Sequence, residues 1–382
     1  MKIDRPGAAI IGAVLMVAFR IVGAGEALAS IDFATIVLLF SMMLIASNLR
    51  LAGFFDWITE AIIERLHPHH LLPTVIFTTG VLSAFLVNDI VCLMMTPLVV
   101  RLTRRLHLPA LPYVIAVATA SNVGSTATIT GNPQNMLIGS LSGLKYVDFM
   151  IRLAPVALLG LAMNWWVIHQ TYLRGPVDRV PVAEALTAPD LQPRSLRKKP
   201  VIVLAIVLGG FLAGVPAAVM AAIGAALLLV TRTVEPRHVY DGVDWGLLVF
   251  FVGLFIIVGG ADRVGLTREL LRPVQTWDLH RIPLLVAVTG LLSNVVSNVP
   301  AVMLLRTLVP GFPDPRTGWL VLAMSSTLAG NLTITGSVAN IIVVERAAAD
   351  GVAVTYREYA RVGVPLTIAT LIAGSMWLWL TA

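Results

Sequence analysis

The sequence predicts an all-α polytopic membrane protein built from inverted repeats, each with a re-entrant hairpin and a broken transmembrane helix. Three observations carry that expectation. The 382 residues are 57% hydrophobic and only 13% charged, about half the charge fraction of a soluble domain. Several apolar runs approach the roughly 20 residues that cross a bilayer. One of them, "YVIAVATASNVGSTATITGNPQNMLIGSLSG", dissolves at Ala127 into Thr, Gly, Asn and Pro. An unpaired backbone group in hydrocarbon costs several kcal/mol, so such a break is stable only inside protein or beside a watery cavity.

The elements follow in order. Full spans are expected at 8–27, 33–49, 110–141 (broken), 148–172, 199–215, 217–233, 245–261, 317–344 (broken) and 360–381. Residues 72–100 and 282–308 hold two short apolar arms around polar centres, "FLVND" and "VVSNVP". Each arm is too short to cross comfortably, so both segments read as re-entrant hairpins. The amphipathic stretches 53–66 and 264–276 suit helices lying in the interface. Residues 174–200, rich in Arg, Lys and Pro, form the one long linker. The division is 1–173 for the first repeat, 174–216 for a cytoplasmic linker and connecting span, and 217–382 for the second repeat.

The repeat is visible in the letters. "GVLSAFLVN" at 80–88 matches "GLLSNVVSN" at 290–298, and "SNVGSTATITGNPQNMLI" at 121–138 matches "STLAGNLTITGSVANIIV" at 326–343 with six of 18 positions identical. Upstream, Gly12, Asp32 and Gly53 match Gly224, Asp244 and Gly265. Four spans return the first repeat to its starting side and the 199–215 span crosses once, so the second repeat is inverted. That plan belongs to many secondary transporters, whose substrates bind near the midplane where the repeats meet. On this topology the N-terminal side carries 18 Lys or Arg and the other side seven. The bias places the N-terminus in the cytoplasm of a prokaryotic cell membrane and the C-terminus outside.

Four polar stations should converge: Asn88 and Asp89 at the first tip, Ser297 and Asn298 at the second, and the two breaks. The first break offers Ser121, Asn122, Thr126, Thr128, Thr130, Gly131, Asn132 and Asn135; the second offers Asn331, Thr333, Thr335, Gly336 and Asn340. Half-helix ends attract ions, Gly131 and Gly336 permit turns closed to bulkier residues, and Thr, Ser and Asn supply neutral donors and acceptors for a small oxygen-rich solute. Taken singly, such residues are often glue between membrane helices. Asp89 is the one acid deep in apolar sequence. A carboxylate there costs about 2.5–3.5 kcal/mol to insert, which makes it a functional candidate and the expected proton-coupling residue.

Other features explain themselves. The net charge of +6 lies between spans and reads as topology, not nucleic-acid binding. Cys92 is the single cysteine and reads as a packing residue. His67, His69 and His70 lack regular ligand spacing, no metal site or cofactor is expected, and Trp165, Trp166, Trp377 and Trp379 suit the membrane interface. Neither His-Glu-x-x-His nor Gly-x-Ser-x-Gly occurs, and no intramembrane carboxylates are paired, so an enzyme is not expected. A channel made of the same parts would conduct without stoichiometric coupling.

From Ala8 onward the chain resembles the ion transporter superfamily, which includes arsenite permeases, sodium–proton antiporters and divalent-anion–sodium symporters. In the symporters, Ser-Asn-Thr tips help hold sodium and a carboxylate. The matching positions here are Val87-Asn88-Asp89 and Ser297-Asn298-Val299, and the Asn-Asp pair is more similar to arsenite permeases, for which proton coupling is implied. Some relatives carry Gly-Asp-Pro-Pro-Asn in the broken helix; this chain has Gly131-Asn132-Pro133-Gln134-Asn135. Relative to the larger members it is short of an N-terminal span. The resemblance implies a homodimer that moves a small inorganic anion or metalloid across the lipid bilayer with protons; the alternatives are a sodium-coupled dicarboxylate or sulfate symporter, or a sodium–proton antiporter.

Overall fold

The structure is a computed structural model that describes residues 4–65, 70–174, 198–230, 235–275 and 277–382. His67, His69 and nearly all of the 174–200 linker lie outside the described residues. Every regular element among the described residues is helical. Four helices are long and apolar enough to cross a bilayer: α3 (Phe33–Leu51), α9 (Tyr146–Tyr172), α13 (Trp245–Arg263) and α19 (Tyr356–Thr381).

The first expected span is corrected. α1 (Arg5–Ala18) stops after 14 residues, and α2 (Ala24–Ala29) follows after a turn in which Arg20 adopts φ 57°. Ending the helix there leaves Arg20 exposed instead of holding a guanidinium in hydrocarbon. The two longer helices that follow these turns begin alike. Asp32 accepts from the Thr35 N–H at 2.8 Å to cap α3, and Asp244 accepts from the Leu247 N–H at 2.9 Å to cap α13. Each cap satisfies an N–H that has no partner inside the helix. α3 and α13 are followed by Gly53 (φ 78°) and Gly265 (φ 76°), the left-handed stop that glycine adopts without strain. Beyond them lie α4 (Phe54–Arg65) and α14 (Leu266–Gln275).

Two pairs of short helices come next in each half. α5 (Leu71–Phe85) and α6 (Asn88–Arg105) meet at Leu86 and Val87. α15 (Ile282–Val296) and α16 (Asn298–Leu305) meet at Ser297, whose φ is 78°. The helix over 110–141 is interrupted: α7 (Ala110–Ser125) ends and α8 (Pro133–Ser142) begins after seven non-helical residues. Asn132 and Pro133 explain the restart. Proline at N1 has no N–H to leave unpaired, and the Asn132 side chain accepts from the Asn135 N–H at 2.9 Å. α17 (Pro315–Leu328) and α18 (Val338–Ala349) flank the corresponding interruption at 329–337. Between the halves stands α10 (Lys198–Leu212), and the second half opens with α11 (Ala217–Val230) and the short α12 (Pro236–Tyr240).

α1 packs on α13 and α11 on α3, α5 on α7 and α15 on α17, and α9 on α19. Small residues allow the closest of these approaches. Gly12 faces the Ile257 side chain, Gly253 faces the Ala9 backbone, and Gly124 lies directly on the backbone of Gly80. No side chain fits between α5 and α7 at that point. Across the equivalent contact a Cβ on Gly290 would meet Ala329 at an ordinary 3.6 Å. Trp165, Trp166 and Trp379 are exposed on α9 and α19, and Cys92 is fully buried.

Candidate functional site

The tips and the interruptions are wired together by asparagine. At the first tip the Asn88 N–H donates to the Gly131 carbonyl at 3.0 Å, and Asn88 Nδ2 donates to Asn122 Oδ1 at 3.2 Å. Asn122 lies in the last turns of α7, fully buried. Its Nδ2 donates to Asn331 Oδ1 at 2.9 Å and Asn340 Oδ1 at 3.0 Å, while its Oδ1 also accepts from Ser337 Oγ at 3.0 Å. One side chain thus joins a helix-pair tip to both sides of the second interruption. Asn298 at the other tip turns its amide nitrogen to the Ser326 and Gly336 carbonyls, at 3.1 and 3.3 Å.

Each interruption is also braced internally, in the same way. Asn135 Nδ2 donates to the carbonyls of Ser125 (3.1 Å) and Thr128 (3.0 Å); Asn340 Nδ2 donates to those of Gly330 (2.8 Å) and Thr333 (3.1 Å). The side chain stands in for the helical N–H groups lost where the chain leaves the helix. Asn132 Nδ2 and Gln134 Nε2 both donate to Thr327 Oγ1 at 3.2 Å, tying the first interruption to α17.

Around this network lies a cavity of about 190 Å³. Asn88, Asp89, Ser297 and Asn298 line it, as their tip positions lead one to expect. Gln134, Ser337, Arg5 and Asp244 line it as well, and sequence reasoning missed all four. Gln134 and Ser337 stand inside the repeated stretches, where their neighbours drew the attention. Asp244 was visible only as a repeat match, and Arg5 only as a topology charge. The amide donors of Asn88 and Gln134 are engaged with protein, Asp244 accepts from the Leu247 N–H, and the Arg5 guanidinium and Asp89 carboxylate face the cavity without a partner among the described residues. Asn88 Oδ1 is buried without a partner, and Asp89 is half-buried.

The remaining predicted residues stand behind the cavity or away from it. Ser121 donates to the Ala118 carbonyl at 2.8 Å and Thr126 to that of Asn122 at 3.1 Å. Thr128 bonds the Ala84 carbonyl, and Thr130 pairs with the Tyr146 hydroxyl at 3.0 Å. These four, with Asn132, Asn135, Asn331 and Asn340, are fully buried and support the lining without forming it. Thr333 and Thr335 bond each other at 3.4 Å, with Thr335 exposed and outside the cavity. The expected reason for Gly131 and Gly336 is corrected: neither has positive φ. Space is what they supply, since a Cβ on Gly131 would collide with the Ser125 backbone and one on Gly336 would come within 2.9 Å of the Gly330 carbonyl.

A family model described as "Citrate transporter" matches residues 1–319. An uncharacterised transporter of Mycobacterium tuberculosis strain H37Rv is 29% identical over 411 residues, covering 99% of this chain and 94% of its own length. The silicon efflux transporter LSI3 of Oryza sativa subsp. japonica is 28% identical, covering 98% and 92%. Among solved structures, the YdaH transporter of Alcanivorax borkumensis superimposes with a TM-score of 0.63 at 15% identity, over 93% of this chain and 86% of that one. The fold is therefore that of an all-helical, multi-span membrane transporter.

Proposed function

Starting from the fact that this chain belongs to the citrate transporter family, within the ion transporter superfamily, we propose that it carries a small hydroxylated inorganic solute of the arsenite kind, coupled to protons through Asp89. The single observation behind this reading is the character of the cavity. Both tips, the start of α8 and Ser337 border it, its amide donors are engaged with protein, and the Asn88 Oδ1 and Asp89 acceptors are not. Acceptors call for a ligand that brings hydrogen-bond donors. Arsenite, undissociated at neutral pH, offers three hydroxyls and no charge. A free polycarboxylate would set its own anionic oxygens against Asp89 and Asp244, a like-charge contact that is costly away from water. The silicon carried by the rice relative points toward the same class of solute. Arg5 in the same lining favours a second reading, sodium-coupled uptake of a dicarboxylate or sulfate-like anion.

The mechanism that goes with this reading uses inverted repeats. Exchange of α1 with α11 and of α3 with α13 turns one observed packing pair into the other, and the bracing by Asn135 and Asn340 matches bond for bond. The two helix pairs act as re-entrant hairpins whose tips present Asn88 and Asn298 to the solute from opposite sides, with access alternating between the two faces. The working unit is a homodimer in the cytoplasmic membrane.

Three tests belong here. In proteoliposomes with imposed proton or sodium gradients, arsenite should accumulate with the proton gradient and citrate should not compete. Asn88→Ala and Asn298→Ala should each weaken solute binding about tenfold, the value of one hydrogen bond to a buried partner, in protein that still elutes as a single species. Unchanged affinity in both variants would return these residues to a packing role. Reporter fusions at Pro193 and Ala382 should report opposite sides of the membrane; the same side for both would break the inverted arrangement.

A further inference from the structure

A second cleft, of about 570 Å³, opens between the start of α15, the loop at 312–314 and the end of α19. Its walls are apolar, with Leu285, Val321, Phe312 and Met376 prominent, and its rim carries His280, Arg281 and Asp314. The outer faces of the flanking helices are apolar too. Leu291 and Val295 on α15 are 71% and 73% exposed, and Trp379 on α19 is 71% exposed. On a membrane transporter such faces meet acyl chains, with tryptophan and cationic side chains at head-group level. The cleft continues that surface inward, so hydrocarbon fills it more favourably than water.

The rim sorts charge. Arg281 pairs with Asp278 at 2.8 Å, but both are more than half exposed. Such a pair is weak, and the guanidinium keeps further N–H donors for a phosphate. Asp314 caps α17 through the Thr317 N–H at 3.2 Å, and hydrogen bonds from Thr317 hold its carboxyl below the usual range. It stays anionic, a counter-charge for an ammonium group. We propose that this cleft is a specific site for one phospholipid of the phosphatidylethanolamine type. Its acyl chain lies against Leu285, Val321 and Met376, its phosphate meets Arg281 and His280, and its ammonium meets Asp314. Such a lipid ties α15, which runs to the Ser297 tip, to α19, which packs on α9.

The test is native mass spectrometry of the full chain in detergent, titrated with dioleoyl phosphatidylethanolamine, phosphatidylcholine and phosphatidylglycerol. One phosphatidylethanolamine should be retained per chain, about tenfold more tightly than either competitor. Arg281→Gln should weaken retention of all three lipids, because each carries the phosphate that Arg281 meets. Asp314→Asn keeps the helix cap, because Asn caps as well as Asp, and should erase the preference for phosphatidylethanolamine over phosphatidylglycerol while leaving a lipid bound. Ser375→Trp, which fills the cleft, should abolish retention at an unchanged melting temperature. Equal retention of all three lipids by the wild-type protein, or undiminished retention by Arg281→Gln, would overturn the proposal. So would a lipid-free dimer, which would assign this face to a second copy of the chain.

Discussion

Asp89→Asn is expected to abolish gradient-driven accumulation while leaving solute exchange across the membrane. With one proton per solute, a pH difference of one unit supports at most about tenfold accumulation, equivalent to about 1.4 kcal/mol; the variant should reach a ratio of one. The substitution keeps the size of the side chain and removes its titration. It should not disturb packing, because Asp89 is half-buried on the cavity wall and no described residue hydrogen-bonds to it. Exchange of labelled against unlabelled solute in the same vesicles separates coupling from binding. Wild-type accumulation with wild-type pH dependence would make Asp89 structural and move the coupling site elsewhere or to sodium.

Asn122→Ala should produce the largest loss of stability of any single substitution in the site. Asn122 is hydrogen-bonded to Asn88, Asn331, Asn340 and Ser337, and the group is buried. Each polar group left buried without a partner costs roughly 1–3 kcal/mol. Some of the four can re-pair, so a net loss on the order of 3 kcal/mol or more follows. A thermal melt in detergent should show it as a marked drop, and transport should be lost even at temperatures where the protein stays folded. Asn164, buried on α9 and joined to the network only through Thr119 at 3.0 Å, is the control: its replacement by Ala should cost much less. A melt unchanged by Asn122→Ala would mean that the five side chains do not act as a unit.

How much of this was legible in the sequence depends on the range of the physics involved. Hydropathy over a window of about 20 residues finds α3, α9, α13 and α19, since a single helix answers to its own residues. The same window runs straight through 8–27, because the left-handed turn at Arg20 is a matter of one backbone angle. The interruptions were legible because polar residues and glycine cannot hide in an apolar run, and their recurrence about 205 residues later marked them as a pair. The rank of Asn122 among eight polar neighbours was not legible. Its partners Asn331 and Asn340 lie 209 and 218 residues away, and only the meeting of two halves makes it a hub. Thr335 failed in the opposite direction, having the right residue type in the right motif but facing out. Arg5 and Asp244 were accounted for too early, one as a topology charge and one as a repeat match, and an explanation that suffices conceals a second role.

The contact of Gly80 with Gly124 has a mechanical meaning. With two backbones touching and nothing compressible between them, α5 and α7 behave as one rigid piece, and a displacement of the 126–132 segment reaches Leu86 and Val87 undiminished. At the equivalent place in the other half a Cβ added to Gly290 would meet Ala329 at an ordinary 3.6 Å, so the contact there leaves room that the Gly80 contact does not. The first tip is a weld and the second a bearing. The alternating access proposed above therefore has more room beside Ser297 than beside Leu86 and Val87.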